Sequence, residues 1–449
     1  MAQSVRERQT LLAPAVLLAG AAVAFLGGRG DLLRPRLFLA LVVGGALAAV
    51  AVRRPDVAGP VGLGVVLVVP VYWAQPLPGV AVAGTASLLV SLALLPAAWR
   101  ERHAVRLHAL DALVALHFGV TVVSLAVNAS GKGAAIGSLV ARAALPYVVF
   151  RLLSTRPGAG RRLAIGLAAA AVPLAIIGIR EAGGTENPFF TLVRAGVEHQ
   201  WVRSQVRFGE VRAEASFGHA IAFSLFLAVA LLLLLGLAWQ RRGHRLLLVA
   251  LAAPLGAALL ATGSRGGLVC LVVGFGLWAL GLRERRGGLL VVGWIVLAAL
   301  LLTPAGGQLT RLQRSITDSG EAGEAARYRL EIASLLVDGD NFTVLGQEAP
   351  PGLGVVSAAE QRLGIRTIDS QYAVVYVTYG LFALASFVAL AVALVRSSLR
   401  RHLQPIDRAW AAATAAVAIA LSTVALFTQM QSLFWIAVAL TATAATTDG

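Results

Sequence analysis

The chain has 449 residues, of which 58% are hydrophobic and 13% charged, with a formal charge of +16 at pH 7 and one cysteine. Soluble domains carry roughly 25% charged residues, so this composition excludes an ordinary water-soluble fold and leaves lipid as the main solvent. The lone Cys270 lies in an apolar run, which excludes an intramolecular disulfide and thiolate metal centres, and no basic stripe interleaved with aromatics suggests a nucleic-acid partner.

Taken in chain order, runs long enough to cross about 30 Å of hydrocarbon fall near 10–27, 37–52, 61–75, 79–98, 107–126, 135–153, 163–180, 215–239, 246–262, 267–282, 288–304, 370–395, 409–427 and 429–446. They predict an all-α, polytopic membrane protein with about fourteen transmembrane helices, a count that short runs can lower to about twelve. The first run has no small-residue cleavage site before a soluble domain and many runs follow it, so it reads as a spanning helix.

Alternate connections concentrate arginine: around Arg6 and Arg8, Arg53 and Arg54, 100–106, 151–162, 241–245, 283–286 and 396–408. Together with the C-terminal tail they hold 21 of the 38 basic residues against 6 of the 22 acids, so this side is expected to be cytoplasmic, with both termini on it. The connection 27–36, with three arginines on the other side, is the one discordant segment.

The chain accordingly divides into N-terminal helices (1–180), a first long outer loop (181–214) and helices carrying a Ser-Arg-Gly-Gly turn (215–304). A large, partly helical outer loop (305–369) then separates the eleventh and twelfth helices, and C-terminal helices (370–449) close the chain. Loops of that length in a compact protein are usually functional. The large loop contains a helix-like stretch, 321–337, which reads as an amphipathic cap on the outer face.

Candidate chemistry gathers at the outer boundary. Arg212 precedes an apolar run, and Arg265 lies in the turn Thr262-Gly263-Ser264-Arg265-Gly266-Gly267. The glycines let backbone approach a ligand closely, the amides opening the next helix favour an anion, and arginine's planar fork suits phosphate oxygens. The competing reading is that an arginine at a helix end snorkels to lipid headgroups.

Arg203 and Arg207 in the first long loop are interleaved with acids, the usual mark of a salt-bridged surface, and Arg327 and Arg329 lie in the cap. Asp369, ahead of Ser370, Gln371 and Tyr372, is a candidate general base if buried, or simply the N-cap of the next helix. His219, just after Arg212, is either a ligand contact or a satisfied histidine between helices. Asp111 within the fifth helix is an intramembrane acid, for which Arg142 or Arg180 would be the structural partner.

The order of these features carries a family resemblance. Arg212 to His219 (Arg-x-x-x-Ser-Phe-Gly-His), the turn at 262–267, the loop segment Arg-Leu-Glu-Ile-Ala-Ser-Leu-Leu at 329–336, and Asp-Ser-Gln-Tyr through Tyr-Gly-Leu-Phe-Ala-Leu at 369–384 occur in that sequence. Over roughly residues 180 to 400 the chain resembles the bacterial O-antigen ligase and O-antigen polymerase superfamily.

That resemblance implies a metal-independent glycosyltransferase, without a cofactor, in the bacterial inner membrane and acting on its extracytoplasmic face. Its donor would be an undecaprenyl-diphosphate-linked glycan and its acceptor a sugar hydroxyl on a glycan or glycolipid. Arg212 and Arg265 would hold the diphosphate, with Arg327 or Arg329 assisting; Arg203, Arg207, Ser264, His219 and Tyr372 would be substrate contacts. Ligases of that family usually have a histidine where this chain has Asp369, so the sequence leans to the polymerase branch with Asp369 as base, and Glu348 or Asp340 as substitutes. The rival from another class is a lipid-linked oligosaccharide flippase, against which stand the absence of an obvious internal repeat and the long eleventh connection.

Overall fold

The computed structural model describes residues 33–70, 82–128, 132–190, 205–207, 209–240, 245–281, 343–346, 368–400, 402–426 and 428–446. The expected runs near 10–27 and 288–304, the helix-like cap, and Arg203, Arg327, Arg329, Asp340 and Glu348 lie outside them.

The described chain is mostly helical. Its helices are α1 (Leu33–Arg53), α2 (Pro55–Val68), α3 (Val82–Trp99) and α4 (Ala109–Asn128). Then come α5 (Lys132–Leu139) and α6 (Leu145–Leu153), joined through a π-helical turn at Val140–Ala144, and α7 (Ala159–Ala182). After a two-stranded hairpin follow α8 (Ala220–Gln240), α9 (Arg245–Ala261), α10 (Arg265–Gly281), α11 (Gln371–Ser398), α12 (Pro405–Ala420) and α13 (Gln429–Ala444). Among the described residues, five segments are long and apolar enough to cross a membrane: α4, Gly133–Leu153, α7, α8 and α11. Shorter apolar helices stand before the first of these, at Val43–Arg53, Pro55–Val68 and Gly84–Trp99, and between α8 and α11, at Leu246–Ala261 and Arg265–Gly281.

The most buried of these is α8, apolar on every side and packed by α9, α10 and α12; a helix hydrophobic all round belongs in the interior. Small residues let the helices approach closely, as is usual where lipid removes the hydrophobic drive for association. A Cβ on Gly166 would stand 2.8 Å from the Pro60 carbonyl, and one on Gly236 2.7 Å from Ala409 Cβ, so α2 meets α7, and α8 meets α12, at near backbone contact.

The bundle has two distinct ends. At one, Arg156 pairs with Glu101 (2.6 Å) and Asp56 (3.4 Å), Arg100 donates to the Val52 carbonyl, and Arg400 bonds His108 Nε2 and the Ala445 carbonyl. This is the end that gathers the arginine-rich connections. Asp111 belongs to it as well, and the expected partners Arg142 and Arg180 are replaced by another. Arg151 donates to both Asp111 oxygens (2.8 and 3.0 Å), with Tyr147 OH and the His108 amide completing the carboxylate's partners. Helical geometry explains the correction: Arg151, near the end of α6, lies level with Asp111 near the start of antiparallel α4, whereas Arg142 lies more than two turns higher.

The opposite end holds the long connections. Here α11 is broken: Gly380 has φ +85° and ψ −176°, which only glycine tolerates well. The Tyr372 and Phe387 rings stand 5.2 Å apart, although fifteen residues of straight helix would separate them by about 22 Å. The limb 371–379 therefore turns back across the end of the bundle. The described stretch of the large loop, 343–346, is docked in the break. Leu381 N donates to the Thr343 carbonyl (2.9 Å), and Ser124 Oγ and Asn128 Nδ2 both donate to the Leu345 carbonyl (2.6 Å each). Irregular backbone of this kind is tolerated at a membrane boundary where protein buries and satisfies it.

Candidate functional site

The loop end is assembled around the connection from α7 to α8. Its hairpin pairs β1 (Val206–Arg207) with β2 (Glu210–Val211), Val206 opposite Val211 and Arg207 opposite Glu210. Beyond it the chain is pinned from three directions. Buried Glu181, in the last turn of α7, accepts from the amides of Glu214 and Ala215 (2.9 Å each) through Oε2, and from Asn187 Nδ2 (2.9 Å) through Oε1. Ser216 Oγ donates to the Leu67 carbonyl at the end of α2, while Gln429 Nε2, opening α13, donates to the carbonyls of Ser216 and Val69. Ala215 is held at φ +47° by these bonds, a conformation rare without glycine.

This pinning delivers Arg212 to the turn after α9. Its Nε donates to the Thr262 carbonyl (2.7 Å), and the next amide, of Ala213, donates to the Ala261 carbonyl (3.1 Å). Arg212 Nη1 also reaches Gln205 Oε1 (3.4 Å). Gly263, at φ +57°, bends the turn, and Ser264 is buried with its amide donating to Thr262 Oγ1. Arg265 then opens α10. A Cβ on Gly267 would stand 2.5 Å from Ser224 Cβ, so the glycine lets α10 start flush against α8.

The segment following α12 links this turn to the start of α11. A Cβ on Gly266 would touch Val424 Cγ2 (3.2 Å), and the Gln371 amide lies 2.9 Å from the Leu421 carbonyl and 3.1 Å from that of Val424. Leu426 N donates to Gln371 Oε1 (2.7 Å). The Arg265 turn and the segment 369–372 thus share one neighbour.

Of the residues expected to act, Arg212, Ser264, Arg265, His219, Asp369 and Tyr372 come to this one end of the bundle. Tyr372 OH donates to the Ala418 carbonyl (2.9 Å), which commits it to packing. Asp369 is exposed, so the burial on which its basicity was argued is lacking, and the N-cap of α11 is Ser370, whose hydroxyl accepts from the Ala373 amide. Arg207 lies in β1. In the described part of the loop Val206, Gly209 and Glu210 are exposed, as a solvated surface would be, whereas 213–217 is buried.

His219 Nδ1 accepts from the Ile221 amide (3.2 Å), so the proton of its neutral ring lies on Nε2. Burial, and then the Arg212 charge, push its pKa down to about 4. At neutral pH it is a hydrogen-bond donor that adds no charge. Arg212, whose charge acts on His219, is bonded to a carbonyl three residues before Arg265, and guanidinium groups and a neutral donor are the kinds of group suited to anionic oxygens.

No family model and no curated protein matches the chain. The site's meaning therefore rests on its own chemistry.

Sequence reasoning placed Gln371 at the outer boundary but missed three other groups that build the site: Glu181, Asn187 and Gln429. Glu181 had a signal, an acid closing an apolar run, which is costly unless hydrogen-bonded. Gln429, between two apolar runs separated by only a few residues, had a similar one.

Proposed function

We propose that the chain is a membrane glycosyltransferase of the O-antigen ligase or polymerase kind, which moves a glycan from undecaprenyl diphosphate to a sugar hydroxyl. The observation that carries this reading is the bond from Arg212 Nε to the Thr262 carbonyl, across 50 residues of chain. It sets Arg212 at the turn that ends in Arg265, so two arginines share one membrane-boundary site. Such a pair matches a lipid diphosphate, whose charge grows on the leaving side as the glycosidic bond breaks.

In this reading the loop end is extracytoplasmic, the arginine-rich end cytoplasmic, and the chain crosses the membrane about fourteen times. Arg212 and Arg265 hold the diphosphate oxygens, and the His219 Nε2–H adds a donor. The acceptor hydroxyl attacks the anomeric carbon as the bond to the phosphate oxygen breaks, its proton passes to Asp369, and undecaprenyl diphosphate leaves. Asp369 is exposed, not buried as the sequence argument for a base supposed, so its part in this reading rests on its place beside Gln371 and Tyr372 at the loop end.

The test is transfer from an undecaprenyl-diphosphate glycan to acceptor glycan by purified wild type and Arg265→Ala, matched for folding. The expected loss is at least about a hundredfold in rate, as for removal of one preorganised group facing developing charge. Movement of the lipid-linked donor across proteoliposomes without transfer would establish the flippase instead.

A further inference from the structure

Two arginine-bearing connections that lie far apart in the chain meet at one corner of the arginine-rich end. Helices α1, α2 and α3 pack on one another, so closely that a Cβ on Gly62 of α2 would stand 2.9 Å from Val90 Cγ1 of α3. That packing sets the end of α3 beside the short link between α1 and α2. Arg100 Nη1 donates to the Val52 carbonyl (3.4 Å) across 48 residues of chain. The link carries Arg53 and Arg54, and the connection after α3 carries Arg100, Arg102 and Arg106.

The acids described at this end are engaged elsewhere. Asp56 and Glu101, the two in this corner, both pair with Arg156 from the connection between α6 and α7 (3.4 and 2.6 Å), and Asp111 is held by Arg151 (2.8 Å). Asp407, in the first turn of α12, lies against α7, its Oδ1 2.8 Å from where a Cβ on Gly160 would stand. Arg53, Arg54, Arg100, Arg102 and Arg106 are all exposed, and among the described residues none of them is ion-paired. Like charges gathered in one corner repel, and an anionic partner offsets that repulsion.

Two of these guanidinium groups are already held in place. Arg102 Cζ stands 5.2 Å from the centroid of the Trp99 ring while its Nη1 donates to the Trp99 carbonyl (3.0 Å), and Arg100 is tied to Val52. A guanidinium has five N–H donors, so each keeps several for a ligand, and a side chain held beforehand gives up less freedom on binding. The connection is itself ordered, with the Glu101 and Ala104 amides donating to the Ala98 and Glu101 carbonyls (2.9 Å each). Trp99 and Leu107, at its two ends, are 57% and 85% exposed. Large apolar groups left outside the bundle at a helix end find lipid there, and tryptophan favours the depth of the headgroups.

We propose that this corner binds the headgroup of an anionic phospholipid, with its phosphate held between Arg100 and Arg102 on one side and Arg53 and Arg54 on the other. Arginine's planar fork suits phosphate oxygens, and basic pockets between membrane helices take anionic headgroups. A lone arginine at a helix end merely reaches toward the headgroup layer. Here the tertiary fold gathers arginines from two connections, and a third connection supplies the residue that occupies the local acids. A zwitterionic lipid carries the same phosphate beside a cation that these arginines repel, so the site distinguishes the two. The site lies at the opposite end of the bundle from Arg212 and is independent of the glycosyl-transfer reading.

The full chain in detergent is titrated with phosphatidylglycerol and with phosphatidylcholine of the same acyl chains, and bound lipids are counted by native mass spectrometry. Wild type is expected to hold one phosphatidylglycerol more tightly than any phosphatidylcholine. Arg100→Gln/Arg102→Gln should weaken that lipid about tenfold or more, the loss expected when two arginines near a headgroup are removed. Arg161→Gln/Arg162→Gln, which removes the same charge from the start of α7, should leave it in place. The proposal is overturned by equal affinity for the two lipids in wild type, by unchanged phosphatidylglycerol binding in Arg100→Gln/Arg102→Gln, or by an equal or greater loss in Arg161→Gln/Arg162→Gln, which would reduce the effect to overall charge. If Arg100→Gln/Arg102→Gln fails to fold, Arg53→Gln/Arg54→Gln decides: the same lipid is expected to weaken about tenfold, and unchanged affinity overturns the site.

Discussion

At the scale of single residues, the site is built by acids and amides that never touch a substrate in the proposed reaction. Glu181 receives three hydrogen bonds in the interior, and those bonds fix the backbone that carries Arg212. His219 shows how such placement alters chemistry. Its pKa is pushed down to about 4 by burial and by Arg212, from an ordinary value of 6.5. The unfolded chain binds that proton first, so this contribution to stability is complete above pH 6.5 and is lost as pH falls from 6.5 through about 4. Thermal unfolding in detergent is therefore expected to weaken less steeply over that window in His219→Gln than in wild type; parallel pH profiles would show that the ring is not the group responsible. The sequence put Arg212 and His219 seven residues apart and at a boundary, which was enough to nominate them. It gave no sign of which carbonyl Arg212 would bond.

Among the elements, the broken helix α11 organises the loop end. As a sequence, 370–395 reads as one long spanning helix, and Gly380 is a single glycine inside it. The break becomes visible only with the chain that fills it: a Cβ on Gly380 would collide with the Val344 carbonyl and the Gly346 amide, and φ of +85° is unfavourable for any other residue. Gly380→Ala is expected to destabilise the protein by about 1–3 kcal/mol or more, and to increase proteolytic cleavage near 343–346. Unfolding and limited proteolysis identical to wild type would mean that the docked loop does not depend on the break. The π-turn between α5 and α6 was equally illegible, because its composition, Val-Ala-Arg-Ala-Ala, is that of an ordinary helix.

For the whole molecule, the division into two ends supports a topology that labelling can check. Cys270 is the one cysteine and is buried, so a Cys270→Ala background is suitable. His103→Cys, exposed at the arginine-rich end, is expected to react with a membrane-impermeant maleimide only from the cytoplasm, and Glu186→Cys, exposed at the loop end, only from outside. Labelling of both from one side would break the assignment of the two faces. Much of this scale was legible in advance: apolar length separates spanning helices from loops, and arginine distribution sorts the connections, because both follow from the cost of placing polar groups in hydrocarbon. The sequence by itself therefore determined the helical membrane character, the alternation of the described runs and the residues nominated for the site. Only the tertiary structure decided that Arg151 and not Arg142 neutralises Asp111, that Arg212 caps the turn leading to Arg265, and that α11 folds back on itself. Those choices depend on which groups lie level across packed helices, and a partner 40 or 50 residues away leaves no local pattern in the chain.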